Sequence, residues 1–223
     1  MQFRNELKFF MNTHTSAVLK HRISAVMRPD SHSGGLYLVN NLYLDDQYDT
    51  CYNEKNLNSY SRDKYRVRFY NSDLSFIRFE NKHKEGELSY KNSVVMTEDE
   101  YHCISRGDMD FVLRSVHPLW QKLASLHRLR RMRPAVSFSY TREAYVYQPG
   151  NVRVTFDSNI RSDEMVPVPY FGAPPGSGGM MEVKFDRYLP SVLKEMLDGL
   201  PLIQTAMSKY CYSRDRQFLL SGS

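Results

Sequence analysis

Cysteine is scarce in this chain of 223 residues: Cys51, Cys103 and Cys211 are odd in number and far apart. None has the spacing of a zinc site or a redox pair, which excludes a disulfide framework or a cysteine-based metal centre as the organising feature. A reduced, intracellular setting is the expectation. Long hydrophobic runs are missing as well. The opening MQFRNELKFF carries charges inside its apolar stretch, and no later segment approaches the length of a membrane span. The chain therefore reads as soluble and cytoplasmic, with any membrane association left to a separate partner. The seven histidines show neither triad nor metal-cluster spacing and read as surface or packing residues. Repeats of solenoid period are absent. The one biased segment is 167–179, where four prolines and four glycines read as a mobile loop rather than a linker between domains.

Hydrophobic residues at 41% and charged residues at 25% are ordinary for a globular protein. The length suits a single domain, 1–223, large enough to enclose a site. A formal charge of +5 favours anionic partners, but the placement of the cations decides more than their sum.

That placement is alternating. In KYRVRFYNSDLSFIRFENKHK, residues 64–84, two alternating runs flank the turn-prone Asn71-Ser72-Asp73, which predicts a β-hairpin. Successive strand side chains point to opposite faces, so Lys64, Arg66 and Arg68 share one face and Tyr65, Val67 and Phe69 the other. On the return strand Arg78, Glu80, Lys82 and Lys84 lie together, with Ile77 and Phe79 opposite. A sheet with one wet face would explain a single such hairpin. Recurrence of the pattern in distant segments argues for more.

Phe3 to Met11 alternates Arg4, Glu6 and Lys8 against Asn5, Leu7 and Phe9. Ser16 to Met27 spaces Leu19, Ile23, Val26 and Met27 for one helical face and stops at Arg28-Pro29-Asp30. LYLVNNLYL follows Gly34-Gly35 as a strand, and the acidic, tyrosine-rich segment after it is a loop or short helix. Lys84-Glu85-Gly86 turns into a strand over Glu87 to Val95, with Ser89, Lys91 and Ser93 on one face. Thr97 to Glu100 has capping-box spacing. A longer helix is expected from about Asp108 to Leu126, with Pro118 starting or kinking part of it. Arg128, Arg130, Arg131 and Arg133 near its end suit a helix C-terminus.

Ala135 to Tyr147 and Val152 to Asp157 form a second hairpin across Gln148-Pro149-Gly150-Asn151. It aligns Tyr140 with Arg142, and Arg153 with Thr155 and Asp157. In MMEVKFD, Glu182 and Lys184 oppose Met181, Val183 and Phe185. A short helix from Leu189-Pro190 to Gly199 precedes the last unit, QTAMSKYCYSR, which offers Lys209. About eight strand-like segments, most with one charged and one apolar face, call for an α+β fold in which a closed eight-stranded β-barrel is polar and basic inside, with helices packed outside. Unpaired cations in such an interior are costly without a bound polyanion or water, which makes the interior an argument for function.

In chain order, RNELKFF, LYLDD, KYRVRFY, FENKHKEGELSYK, YTREAYVY, GNVRVTFD, MEVKFD and SKY resemble the polyphosphate polymerase (VTC) domain of the triphosphate tunnel metalloenzyme, CYTH-like, superfamily. The likeness runs from roughly Arg4 to Arg214, and it is the joint order and spacing that is specific. It implies an antiparallel tunnel whose cations grip triphosphate or polyphosphate and whose acids hold Mn²⁺ or Mg²⁺. Carried over by motif, the phosphate-binding set is Lys8, Arg66, Arg68, Lys82, Lys91, Arg142, Arg153 and Lys209, and all of these but Lys91 also form the catalytic set. Arginine suits bidentate contact and lysine acts as a point charge. Glu182 matches the metal ligand. Glu6 and Glu80 occupy inward positions and join the metal set, against the alternative that each is an ion pair with a neighbouring Lys or Arg. Asp157, Lys84 and Lys184 are weaker candidates, compatible with a solvated tunnel mouth.

The chain departs from the family pattern twice. Arg4 stands where the wider superfamily often has the first of two glutamates, and Ala206 where polymerases commonly carry a second lysine ahead of SKY. The implied activity is that of a metal-dependent polyphosphate polymerase, a phosphotransferase passing the ATP γ-phosphate to a growing polyphosphate chain. Pyrophosphate or triphosphate are further expected partners. The nearest alternative uses water as acceptor, as a tripolyphosphatase or nucleoside triphosphatase. The alternative from another class is a non-catalytic polyphosphate- or RNA-binding module. Nucleic acid is disfavoured because most aromatics fall opposite the cations, where they belong to a core.

Overall fold

Alternation in the sequence emerges as strands in a computed structural model that describes residues 4–31, 35–162 and 177–221. The elements are β1 (Asn5–Asn12), α1 (Thr13–Ser24), β2 (Arg28–Pro29), β3 (Leu36–Asp45), α2 (Thr50–Asn56), β4 (Ser61–Tyr70), β5 (Asp73–Glu85), β6 (Leu88–Met96), α3 (Glu98–Ser105), α4 (Pro118–Arg130), β7 (Arg133–Tyr147), β8 (Val152–Ser162), β9 (Ser177–Phe185), α5 (Ser191–Leu197), β10 (Ile203–Gln204) and α6 (Lys209–Ser221). Short 3-10 turns lie at Val112–Arg114 and Pro149–Asn151.

The ten strands are hydrogen-bonded in the order β10-β1-β9-β8-β7-β3-β4-β5-β6, with β2 on β7. Among the described residues this order has two ends, and closure into a barrel is not among the pairings they make. The expected α+β fold is observed, with an antiparallel sheet of ten strands among the described residues rather than eight. The two strands beyond eight, β2 and β10, are two residues each, too short to show a period.

The chain forms two compact units. Unit 1 comprises Met1–Leu38, Tyr140–Arg161 and Pro167–Met207, and unit 2 comprises Val39–Ser139, Ser162–Val166 and Ser208–Ser223.

In unit 1, Asn12 caps α1 by accepting from the Thr15 amide at 2.7 Å. Of the predicted stripe, Leu19 and Ile23 of α1 and Met27 just beyond it join Val154, Phe156, Met181, Val183 and Leu193 in one core, while Val26 is half-buried. That core fixes one face of β1, β9 and β8, and the opposite face carries their charged residues. Gly178 and Gly179, expected in the loop, belong to β9. A Cβ on Gly179 would stand 2.9 Å from the Asp157 carbonyl oxygen, and one on Gly178 2.8 Å from the Thr13 amide nitrogen. Glycine is the residue that permits this approach. Residues 167–176 of the expected loop lie outside the described residues. Gly150 turns the β7–β8 connection at φ 75° and ψ 4°, the third position of a type II turn.

In unit 2, β4 and β5 join through Asn71, in the left-handed region at φ 54°, with Tyr70 paired to Asp73. Tyr65, Val67, Ile77 and Phe79 are buried as their alternation predicts. Phe79 stacks on Trp120 of α4 with ring centres 4.7 Å apart, and Ile104 of α3 and Leu123 of α4 are buried too. The capping box of α3 forms as expected: Thr97 Oγ1 accepts from the Glu100 amide at 3.2 Å, and Glu100 Oε2 from the Thr97 amide at 2.8 Å. The helix expected over 108–126 begins only at Pro118 and runs to Arg130. Proline fits the first helical position because no N–H is needed there, and Arg131 ends the helix at φ 55°.

The LYLDD motif has a local cause. Asp45 is buried and accepts from the amides of Asp46, Cys51 and Tyr52 at 2.9, 2.9 and 3.0 Å, and from the Tyr210 hydroxyl. It therefore ties the start of α2 and the first turn of α6 to the end of β3. No helix among the described residues is long and apolar enough to cross a membrane.

Candidate functional site

Each unit carries a charged face, and the two faces are built differently. In unit 2 the register sets Arg66 opposite Glu80, Arg68 opposite Arg78, and Lys82 opposite both Lys64 and Lys91. Glu80 is buried, and both its oxygens are taken. Oε2 accepts from Arg66 Nε at 2.8 Å and lies 2.6 Å from its Nη2, while Oε1 lies 2.6 Å from Lys91 Nζ. Burial works against its ionisation, yet Arg66, Arg68 and Lys91 hold the carboxyl down to about 2.

Arg68 turns to a neutral partner, donating from Nε and Nη2 to Asn41 Oδ1 at 2.9 and 2.7 Å. Arg66 also donates to the Tyr43 hydroxyl at 3.0 Å. Burial alone would raise that phenol, but the charges of Arg66, Arg68 and Lys64 bring it down to about 8. Lys64 donates to Ser208 Oγ at 2.6 Å and stands 5.7 Å above the Tyr210 ring. Lys209 opens α6 beside them in sequence and is half-buried. Lys82 is exposed on β5, and Lys84 is half-buried opposite Arg62 and Ser89.

In unit 1 the face is a lattice of alternating sign. Lys8 pairs with Glu182 and Glu6 with Lys184 across β1 and β9, while Arg153 pairs with Lys184 and Thr155 with Glu182 across β8 and β9. The ion pairs run as a chain: Lys8 Nζ to Glu6 at 2.8 Å, Lys184 Nζ to Glu6 at 3.6 Å and to Glu182 at 2.5 Å. Arg153 reaches Asp30 at 2.8 Å. Arg142 grips Asp157 bidentately at 2.6 and 2.7 Å, over the Tyr140 ring at 5.2 Å. Burial opposes its charge, but Tyr140, Asp157 and Glu182 push the guanidinium further toward the protonated form. Asp157, read from sequence as a solvated candidate, has a side chain 0% exposed.

Of the acidic candidates, the structure brings Glu6 and Glu182 to one ammonium, and it places both Glu6, with Lys8 and Lys184, and Glu80, with Arg66 and Lys91, in the ion pairs weighed as their alternative. Carboxylate oxygens are hard donors of the kind Mg²⁺ and Mn²⁺ take. Among the described residues no group of three or more His, Cys, Asp or Glu side chains is arranged to hold a metal. Sites for Mg²⁺ ordinarily use one or two carboxylates and complete themselves with water and phosphate. Glu6 and Glu182 fit that donor set, and the Lys184 ammonium marks where a cation sits against them.

Sequence reasoning passed over Asn41, Tyr43, Ser208 and Asp30. Asn41 and Tyr43 had a signal: a polar amide inside the apolar run of β3, two residues from a tyrosine and therefore on its face. Asp30 and Ser208 lie outside any alternating run; Ser208 had a signal only as part of SKY, and Asp30 had none. Tyr43, Tyr140 and Tyr210 also touch cations, so these aromatics do not stand opposite the charge.

The VTC domain model matches residues 3–217. No curated protein matches the sequence. Among solved structures, the PH1819 protein of Pyrococcus horikoshii OT3 is similar at a TM-score of 0.49 and 13% identity, covering 99% of this chain and 100% of that one. The bh2851 protein of Bacillus halodurans is similar at 0.49 and 12%, covering 99% and 89%. Neither likeness bears on activity. The domain match contains every candidate residue described above, and the chain belongs to the VTC domain family.

Proposed function

We propose that the chain is a metal-dependent polyphosphate polymerase that transfers the γ-phosphate of ATP to a growing polyphosphate chain. The observation that carries this reading is the cation excess on one face of β4, β5 and β6, where Lys64, Arg66, Arg68, Arg78, Lys82 and Lys91 stand against the single carboxylate of Glu80. A face of that composition calls for a polyanion. Membership of the VTC family supports polyphosphate as that polyanion.

Phosphoryl transfer asks little covalent chemistry of the protein, because positioning and charge neutralisation supply most of the catalysis. A terminal oxygen of the acceptor attacks the γ-phosphorus, the bond to the β–γ bridging oxygen breaks, and ADP leaves with that electron pair. One anhydride forms as one is lost, so no protein nucleophile is needed. Arg66, Arg68, Arg142, Arg153, Lys8, Lys82, Lys91 and Lys209 bind and orient phosphate oxygens in this reading. Glu182 and Glu6 would hold Mn²⁺ or Mg²⁺, which when bound supplies positive charge to the phosphate oxygens. Glu80 acts through Arg66 as a positioning residue. The tunnel barrel implied by the family, pyrophosphate or triphosphate as acceptors, and release of product to a separate membrane partner belong to the same proposal.

The test is turnover of purified protein with ATP and Mn²⁺, resolving long polyphosphate from free phosphate, beside Glu182→Gln. Long chains lost in the variant support the proposal. Free phosphate alone, equally dependent on Glu182, replaces polymerase with hydrolase. No product from either protein, together with metal-independent RNA binding, leaves a polyanion-binding module.

A further inference from the structure

On the charged face of β8, three side chains follow one another at strand spacing: Arg153, Thr155 and Asp157. The outer two are engaged, Arg153 with Asp30 and Asp157 with Arg142. Thr155 is 5% exposed, and its hydroxyl has no hydrogen-bond partner among the described residues. A buried hydroxyl left unsatisfied is destabilising, and folded proteins hold few of them. Valine would fill the same volume without that penalty, so packing does not account for threonine here.

Its surroundings do. Thr155 is the cross-strand partner of Glu182, and Glu182 is that of Lys8, so hydroxyl, carboxylate and ammonium lie in one row across β8, β9 and β1. Directly opposed side chains in an antiparallel pair have Cβ atoms about 4.5–5.5 Å apart. At the same carboxylate, Lys184 Nζ lies 2.5 Å from Glu182 Oε1 and shows that a cation is accommodated there. The acidic side chains alone do not form a group of three, whereas a hard divalent ion prefers near-octahedral oxygen coordination.

We propose that the Thr155 hydroxyl oxygen is a further ligand of the divalent cation held by Glu182. The inference rests on the metal site of the proposed function. Cation binding gives the hydroxyl the partner it lacks and moves the Lys184 ammonium off Glu182.

The experiment is Mn²⁺ titration followed by electron paramagnetic resonance, without nucleotide, on the intact chain and on Thr155→Val, Thr155→Ser and Glu182→Gln. Thermal unfolding of each is recorded without metal. The intact chain is expected to bind Mn²⁺ and Glu182→Gln to lose it. Thr155→Val should bind about tenfold more weakly, the lower end of the losses seen when a supporting contact of a metal site is removed. Thr155→Ser should keep its affinity, and the metal-free midpoint of Thr155→Val should equal or exceed that of the intact chain. Thr155→Val binding as tightly as the intact chain, with Glu182→Gln still deficient, overturns the Thr155 assignment and leaves the metal site standing. A serine variant as weak as valine, or a valine variant destabilised without metal, overturns it as well, since either means the side chain serves packing. No binding by the intact chain, or equal binding by Glu182→Gln, overturns the metal site and this inference with it.

Discussion

The charged faces of the two units come from the same alternation and end in opposite electrostatic arrangements. On β1, β9, β8 and the unit 1 part of β7, each of Lys8, Lys184, Arg153 and Arg142 has a carboxylate partner. On β4, β5 and β6, Arg66 and Lys91 share Glu80, while Arg68 and Lys64 turn to the neutral oxygens of Asn41 and Ser208. A balanced lattice is a place where one cation can replace another. A face short of carboxylates leaves positive charge for an outside anion. The pattern of charges along a strand thus predicts which residues face the same way, and the count of acids among them predicts what each face attracts.

The sharpest way to break this contrast is to remove one cation from each face. Arg142→Met strands the Asp157 carboxylate in the interior, and the expected loss is about 3–5 kcal/mol of unfolding free energy in urea. Arg66→Met leaves Glu80 with Lys91, so about 1.5–3 kcal/mol is expected from the lost charged hydrogen bond. Equal losses would mean that the two faces are not organised differently.

Acid titration follows. The Glu80 carboxyl is held at about 2, against an ordinary value of 4.5, so its ionised form contributes stability that is fully present above pH 4.5 and is lost as pH falls through 2. The intact protein should therefore lose on the order of 3 kcal/mol more than Glu80→Gln across that window. Parallel pH profiles for the two would remove Glu80 as the anchor of its face.

Binding sharpens the contrast from the other side. Arg68→Met should weaken metal-free tripolyphosphate binding by about tenfold or more, as loss of a charged hydrogen bond implies. Lys20→Met, which removes the partner of Glu143 in unit 1, should leave that calorimetric affinity unchanged. The smallest effect is spectroscopic. The Tyr43 phenol, at about 8, should move up toward its ordinary value in Arg66→Met, read from the pH dependence of its ring resonances. A phenol that stays near 8 would show that Arg66 is not what holds it there.

Much of this was legible in the residues. Period-two alternation marked β1, β4, β5, β6 and β9 and sorted Arg66, Arg68, Glu182 and Lys8 onto charged faces, because burial of one face leaves so clear a trace. Thr97 and Glu100 marked the start of α3. What stayed hidden depends on contacts distant in the chain. Nothing near Glu80 indicates that Lys91 and Arg66 share it, since that follows from how β5 lies between β4 and β6. Gly178 and Gly179 read as loop because their requirement is the approach of Thr13 and Asp157. Closure is not legible in the alternation: charged inner faces and apolar outer ones suggest a ring, but strand pairing is set by backbone hydrogen bonds that side-chain period does not report.

Asn41 carries a consequence for how an anion would first meet the protein. Its amide nitrogen donates to the Val39 and Phe138 carbonyls at 3.4 Å each, and its oxygen is turned to Arg68. The guanidinium is aimed by a neutral amide. A carboxylate in that position would aim it equally well but would set a second acid beside Glu80, whose carboxyl the Arg68 charge already helps to hold down. The amide gives Arg68 its direction without adding negative charge to the face that an approaching polyanion would meet.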